Sequence, residues 1–128
     1  MTATPDSTPA RVLVVDDELL IRWSIAEALA EQGCIVSDAP DGTAALRVLS
    51  DGSAPPDVVL LDYRLPDSND LTLLSKVIAL VPRGRVILMT AYGAPDMMQA
   101  AIERGAFSVV HKPFELQAIA ALVSRARA

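Results

Sequence analysis

The chain has little cysteine, few aromatic residues and no excess of basic residues. With one cysteine among 128 residues, it has no internal disulfide framework, and Cys34 is expected to act as a small buried hydrophobe. Its 11 Lys and Arg against 16 Asp and Glu give a net charge of −5, which argues against binding nucleic acid through this chain. Nucleic-acid contacts are therefore not expected here.

Long apolar runs are also missing. No stretch approaches the roughly 20 apolar residues that a membrane span needs. The segment from Met1 to Asp6 has neither the charged start nor the apolar core of a signal peptide. These absences predict an unexported, cytoplasmic protein without a membrane contact.

The length of 128 residues fits one domain, and a chain of this size buries about two-thirds of its unfolded surface. Residues 1–9 are rich in Thr, Pro, Ser and Asp, cannot bury apolar area, and are predicted to form a flexible leader. The folded domain is expected to comprise residues 10–128.

Short apolar runs alternate with segments of helical period along this domain. The predicted strands are 11–16, 34–38, 57–62, 85–90 and 107–112, and the predicted helices are about 18–32, 42–51, 69–80, 94–104 and 114–126. Nearly continuous apolar strands require cover on both faces of their sheet. The pattern predicts an α/β fold with a doubly wound, five-stranded parallel sheet.

Carboxylates stand where two of the apolar runs end. Asp16 and Asp17 follow Val12–Val15, and Asp62 follows Val58–Leu61. Parallel strands bring their carboxyl ends to one edge of the sheet, so the three acids are expected to converge there. Their mutual repulsion needs a cation, and all-oxygen ligation suits Mg²⁺.

Two further runs end on groups that bind phosphoryl oxygens. Thr90 offers a hydroxyl and Lys112 an ammonium at the ends of the last two predicted strands. A carboxylate nucleophile, a divalent cation, a hydroxyl and an ammonium are the parts that phosphoryl transfer to aspartate requires. We therefore interpret Asp62 as a phosphoacceptor. The alternative for each aspartate is a helix cap.

These residues occur in an order that resembles the receiver domain of two-component response regulators, over roughly residues 10–126. The pieces that carry the resemblance are Asp16-Asp17, Asp62 with Pro66 four residues on, Thr90-Ala91, and Lys112-Pro113-Phe114. Further segments are most similar to the nitrogen-regulator type: Ile21-Arg22-Trp23, Asp62–Pro66 and Met89–Gly93. The resemblance implies a flavodoxin-like strand order of 2-1-3-4-5. It also implies a signalling switch in transcriptional regulation rather than an enzyme with an external substrate, since phosphoryl transfer to Asp62 and its slow loss are self-catalysed.

The resemblance also assigns roles to single residues. It implies that Asp17 binds Mg²⁺ directly, that Asp16 acts through water, and that Asp62 and the backbone carbonyl of Arg64 complete the protein ligands. Thr90 would move toward the phosphoryl group, and Lys112 would hold one of its oxygens next to a cis Lys112–Pro113 bond.

The implied partner is a sensor histidine kinase or a histidine phosphotransfer protein. We expect it to dock at Arg22 and Trp23, on the outer face of the first helix, although Trp23 folded over Arg22 or over a neighbouring loop is an equal alternative. A second copy of the chain is a further candidate partner, through the face between the fourth and fifth helices.

Two positions depart from the family pattern. Val109 stands where an inward-turning aromatic ring is usual, and Asp70 stands where glycine is common. Three other functions fit the sequence less well. A dehalogenase-type phosphatase requires a second Asp two residues after the first, and Arg64 occupies that position. A flavin binder requires a phosphate-binding loop after the first strand, and the acidic Asp16-Asp17-Glu18 occupies that position. A degenerate receiver conflicts with the intact acids.

Overall fold

The computed structural model describes residues 8–82, 85–91 and 93–127. Five strands alternate with five helices in this part of the chain: β1 (Arg11–Val15), α1 (Leu19–Glu31), β2 (Ile35–Ala39), α2 (Gly42–Ser50), β3 (Val58–Asp62), α3 (Thr72–Leu80), β4 (Arg85–Thr90), α4 (Pro95–Glu103), β5 (Ser108–His111) and α5 (Leu116–Arg127). No helix in these ranges is both long and apolar enough to cross a membrane.

The predicted leader is only partly within the described residues. Its residues 1–7 lie outside them, so their flexibility stays a prediction. The carbonyl of Thr8 accepts a hydrogen bond from the Arg127 side chain, which ties the end of the leader to the last turn of α5.

The strands form one parallel sheet in the order β2-β1-β3-β4-β5, which confirms the fold class and the strand order that the resemblance implied. Val15 pairs with Leu61, and Asp62 pairs with Met89 on the next strand. β1, β3 and β4 therefore end at nearly the same level, so the polar residues that follow them share one edge.

Two apolar layers cover the sheet. Leu13, Leu61 and Leu88 face the layer that holds α2, α3 and α4, whereas Val14 and Leu60 face the layer that holds α1 and α5. Successive residues of a strand point to opposite faces, so a strand covered on both faces must be apolar at nearly every position. This is the physical reason for the continuous apolar runs, and it leaves the strand ends as the place for charged groups.

The predicted start of the third helix is wrong by about three residues. The sequence predicts a helix from about residue 69, but α3 begins at Thr72. Leu65 and Ser68 pair as a small antiparallel bridge, with N–O distances of 2.8 and 3.2 Å. Asp70 then accepts a hydrogen bond from the Thr72 amide at 2.8 Å, so this departure from the family pattern lies in the turn before the helix.

Candidate functional site

Asp16, Asp17 and Asp62 meet at the carboxyl edge of the sheet, as the sequence predicts. Each offers an oxygen, and these atoms lie within 4.8 Å of one another. Asp16 is 0% exposed and Asp62 6% exposed, while Asp17 is open to solvent. The cluster therefore combines two buried acids with one acid at the rim.

Asp16 is held by backbone and side-chain contacts together. Its Oδ1 accepts from the Glu18 amide at 2.9 Å, its Oδ2 accepts from Lys112 Nζ at 2.7 Å, and its own amide donates to the carbonyl of Ala39 at 3.1 Å. Asp16 therefore closes a turn before α1 and does not cap the helix, whose N-cap position is Glu18 and has no side-chain cap. Its second oxygen still faces the site.

Lys112 connects the two buried acids. Its Nζ lies 2.7 Å from Asp16 Oδ2 and 3.1 Å from Asp62 Oδ2. The Lys112 amide donates to the carbonyl of Thr90 at 2.8 Å, and the Lys112–Pro113 peptide bond is cis, as the resemblance implied. The ammonium therefore contacts Asp62 directly, at Oδ2, which the sequence did not predict.

The buried charges shift two pKa values. Burial, followed by the charge of Asp16, raises the pKa of Asp62 from 3.8 to about 6, although Lys112 and the Arg64 amide oppose the rise. Burial alone would lower the pKa of Lys112, but the hydrogen bond to Asp16 and the charge of Asp62 outweigh it and raise that pKa. One ammonium does not fully compensate two buried carboxylates, so the site favours further positive charge.

Thr90 ends β4 beside the acidic cluster. It is buried at the carboxyl edge, and the neighbouring Met89 carbonyl accepts a hydrogen bond from the Tyr63 amide at 2.8 Å. β4 thus lies next to the residue that follows Asp62. The hydroxyl of Thr90 shares the edge where the sequence placed it.

Arg64 lies in the loop that leaves Asp62. Its side chain is exposed, and its amide donates to Asp62 Oδ1 at 3.4 Å, a long hydrogen bond. This contact places the Arg64 backbone beside the phosphoacceptor candidate. The role of its carbonyl stays a prediction.

Sequence reasoning missed Asp67, which fastens this loop to α2. Its Oδ1 accepts from the Gly42 amide, and its Oδ2 accepts from the amide and the hydroxyl of Thr43, each at 2.9 Å. A Cβ at Gly42 would lie 3.1 Å from Asp67 Oδ1 and 2.9 Å from a Leu73 methyl, so glycine permits the close approach. No local signal identified the contact, because Gly42 lies 25 residues away.

Arg22 and Trp23 differ in their surroundings. Trp23 is 57% exposed, as expected for the outer face of α1. The matching expectation for Arg22 is wrong, because its side chain is only 13% exposed. Its Nη1 donates to the Asp16 carbonyl at 2.7 Å and its Nε to Asp38 Oδ2 at 3.2 Å.

Val109 and His111 lie on β5 beside α4. Val109 is partly buried and packs on the layer that contains α4, in the place where the family pattern has a ring. His111 is exposed, and its Nε2 lies 3.3 Å from Met98 Sδ. A Cβ at Gly93 would come within 2.9 Å of the His111 ring, so the imidazole lies directly against the loop before α4.

Comparison with known proteins gives one consistent result. Residues 12–124 match the family described as response regulator receiver domain. The chain is 39% identical over 115 residues to the DNA-binding transcriptional regulator NtrC of Escherichia coli K12, which covers 90% of this chain and 24% of NtrC. It is 35% identical over 109 residues to sporulation initiation phosphotransferase F of Bacillus subtilis, which covers 85% of this chain and 86% of that protein.

Solved structures agree in fold. A response regulator receiver domain protein of Clostridium thermocellum superposes with a TM-score of 0.83 at 30% identity, covering 92% of this chain and 94% of the other. NtrX of Brucella abortus superposes with a TM-score of 0.83 at 32% identity, covering 94% of this chain and 27% of NtrX. The chain spans about a quarter of the NtrC proteins it matches. These matches favour the receiver interpretation over the phosphatase and flavin-binding alternatives.

Proposed function

Because the chain belongs to the response regulator receiver domain family, we propose that Asp62 is its phosphoacceptor and that Mg²⁺ assists the transfer. The observation that carries the proposal is the position of Asp62: its carboxylate is buried among Asp16, Asp17 and Lys112, and its Oδ2 lies 3.1 Å from the ammonium. The candidate nucleophile, the acidic cluster and the ammonium of Lys112 thus lie in one place.

The chemistry of the three acids fits a divalent cation. Asp16, Asp17, Asp62 and the backbone carbonyl of Arg64 would hold Mg²⁺ through oxygen atoms, with water in the remaining positions. When bound, Mg²⁺ supplies positive charge that both the acids and an incoming phosphoryl group require. The raised pKa of Asp62 supports this assignment, since burial of its carboxylate and then the charge of Asp16 raise it, and the ammonium of Lys112 offsets them only in part.

In the proposed transfer, a carboxylate oxygen of Asp62 attacks the phosphorus of a phosphohistidine on the partner. The new O–P bond forms as the P–N bond breaks, and the imidazole leaves with the electron pair of that bond. Lys112 turns its ammonium from the carboxylates to a phosphoryl oxygen, and the Thr90 hydroxyl donates to another. Later hydrolysis returns Asp62 to its free form without an external catalyst.

The experiment replaces Asp62 by asparagine. Asp62→Asn should not become labelled by acetyl phosphate and MgCl₂, because an amide is not a competent nucleophile, while the near-isosteric side chain preserves the fold. Wild type and the surface variant Asp96→Asn should both acquire a phosphate that is acid-labile and released by hydroxylamine. Wild-type labelling of the Asp62→Asn chain would refute the assignment.

We also propose that a histidine-bearing helix of a sensor kinase or phosphotransfer protein docks beside Trp23. Leu19, Leu20 and Trp23 are exposed on α1, and Leu20 continues into a groove lined by Phe114 and Leu116 at the start of α5. The groove also contains Lys112, so it borders the site directly. An amphipathic helix matches such an apolar groove, and it would carry its histidine toward Asp62.

Trp23→Ala should slow phosphoryl transfer from a purified kinase that phosphorylates the wild-type chain. Labelling by acetyl phosphate should not change, because a small donor needs no docking surface. The comparison of the two initial rates measures the effect. Equal slowing with both donors would assign Trp23 to the fold instead.

We propose that phosphorylation alters the surface formed by α4, β5 and α5. This surface would either pass the signal on within a cytoplasmic regulator of transcription or pair with a second copy of the chain. Sedimentation velocity with and without beryllofluoride measures that pairing.

A further inference from the structure

We infer that Arg22 is a positioning residue of the metal site: its guanidinium fixes the peptide group between Asp16 and Asp17 and thereby aims the Asp17 carboxylate. The inference deepens the proposed function and rests on it, since Asp17 is taken as a ligand of Mg²⁺.

The hydrogen bonds of Arg22 identify what it holds. Nη1 donates at 2.7 Å to the carbonyl oxygen of Asp16, and Nε donates at 3.2 Å to Asp38 Oδ2 at the end of β2. The Asp16 carbonyl belongs to the same planar peptide group as the amide nitrogen of Asp17. Fixing this oxygen therefore fixes the orientation from which the Asp17 side chain starts.

The carboxylates of Asp16 and Asp17 differ in their contacts and in their exposure to solvent. The Asp16 carboxylate is buried and contacts the Glu18 amide and Lys112, so groups other than Arg22 hold it. Asp17 is exposed at the rim of the cluster. The orientation of its peptide group therefore contributes to the direction in which its carboxylate points.

The shape of the arginine side chain suits this task. A guanidinium presents donors in a rigid fork, so one group reaches the carbonyl of one loop and the carboxylate of another at the same time. A lysine keeps the charge but provides a single ammonium without that fixed geometry. Because the Arg22 side chain is 13% exposed, its position is set mainly by these contacts within the chain.

Two roles for Arg22, a nearby positive charge and a positioning residue, predict opposite effects on Mg²⁺ binding. If Arg22 acted only as a nearby positive charge, it would repel Mg²⁺, so Arg22→Ala would bind the ion more tightly and Arg22→Lys would bind it as wild type does. If Arg22 positions Asp17, both variants bind Mg²⁺ more weakly. Loss of an outer residue that orients a metal ligand costs about tenfold in affinity at the lower end of the observed range.

The experiment titrates MgCl₂ into the full chain by calorimetry. We expect the Mg²⁺ dissociation constant to rise about tenfold in Arg22→Lys and in Arg22→Ala. The exposed Arg47 on α2 provides matched controls, Arg47→Lys and Arg47→Ala, which should retain wild-type affinity. Circular dichroism on the same samples confirms that each variant is folded.

A double-mutant cycle separates positioning from a general structural effect. In the Asp17→Asn background, Arg22→Lys should cause no further loss of Mg²⁺ affinity, because the ligand that Arg22 aims has already been removed. Equal losses in both backgrounds, wild-type affinity of Arg22→Lys, or tighter binding by Arg22→Ala would each overturn the inference. Failure of the wild-type chain to bind Mg²⁺ would instead overturn the proposed function, and this inference with it.

Discussion

At the scale of single residues, the main feature of the site is that two buried carboxylates share the ammonium of Lys112. Lys112 Nζ contacts Asp16 at 2.7 Å and Asp62 at 3.1 Å. The shorter contact goes to the more deeply buried acid, and Asp62 retains a pKa of about 6. Asp62 therefore keeps part of its desolvation cost, which a metal ion or a phosphoryl group with its metal would relieve.

This cost predicts a pH-dependent stability in the metal-free chain. The pKa of folded Asp62, about 6, lies above its ordinary value of 3.8, so the folded state retains a proton that the unfolded chain has lost between those values. The free energy of unfolding attributable to Asp62 should thus fall as pH rises through this window, by roughly 3 kcal/mol in total.

Asp62→Asn cannot ionise and should escape the decrease. Urea unfolding in EDTA should show a stability gap between Asp62→Asn and wild type that opens from about pH 4 to about pH 6 and then stays constant. Curves that remain parallel throughout would show that burial does not raise the pKa of Asp62.

At the scale of elements, the loop between β3 and α3 is attached to α2, a helix that lies far from it in the sequence. Asp67 accepts three hydrogen bonds from the first residues of α2, two of them from backbone amides. Such amides at a helix N-terminus lack partners within the helix. Asp67 thus satisfies donors of α2 and restrains the loop that carries Arg64.

Asp67→Ala should lower the free energy of unfolding by about 1 kcal/mol, the usual cost of removing a carboxylate from a helix N-terminus. It should also accelerate amide hydrogen exchange in residues 64–70, because the loop loses its attachment. Asp41→Ala is the matched control, since Asp41 accepts from Ala44 in the same helix turn at 2.7 Å. That variant should be destabilised without faster exchange in the loop, and similar exchange in both would contradict the tether.

At the scale of the whole molecule, the acids that hold the proposed ion come together only in the folded chain. Asp17 and Asp62 lie 45 positions apart in the sequence and reach one edge because β1 and β3 are paired in parallel. An ion that binds only the folded state stabilises it by mass action. The net charge of −5 adds a smaller, nonspecific preference for cations.

Saturating MgCl₂ should therefore raise the midpoint of thermal unfolding of wild type, and Asp17→Ala should lose most of that increase. With free ion at tenfold excess over its dissociation constant, the expected stabilisation is about 1.4 kcal/mol. NaCl at matched ionic strength controls for screening of the net charge. An equal rise in midpoint with NaCl would remove the basis for a specific site.

The amino-acid sequence was enough to predict the five strands and five helices, apart from the start of α3, and the strand ends where Asp16, Asp17, Asp62, Thr90 and Lys112 lie, because a strand buried on both faces must be apolar until it emerges. The strand order came from the resemblance and is confirmed.

The contacts of these site residues with one another and with Arg22 and Asp67 became visible in the folded chain alone. The inward position of Arg22, the sharing of Lys112 between two acids and the tether of Asp67 join residues that are 6 to 96 positions apart. Such contacts depend on strand register and on the rotation of each helix against the sheet. Local patterns of apolar and polar residues set neither quantity to within a hydrogen bond.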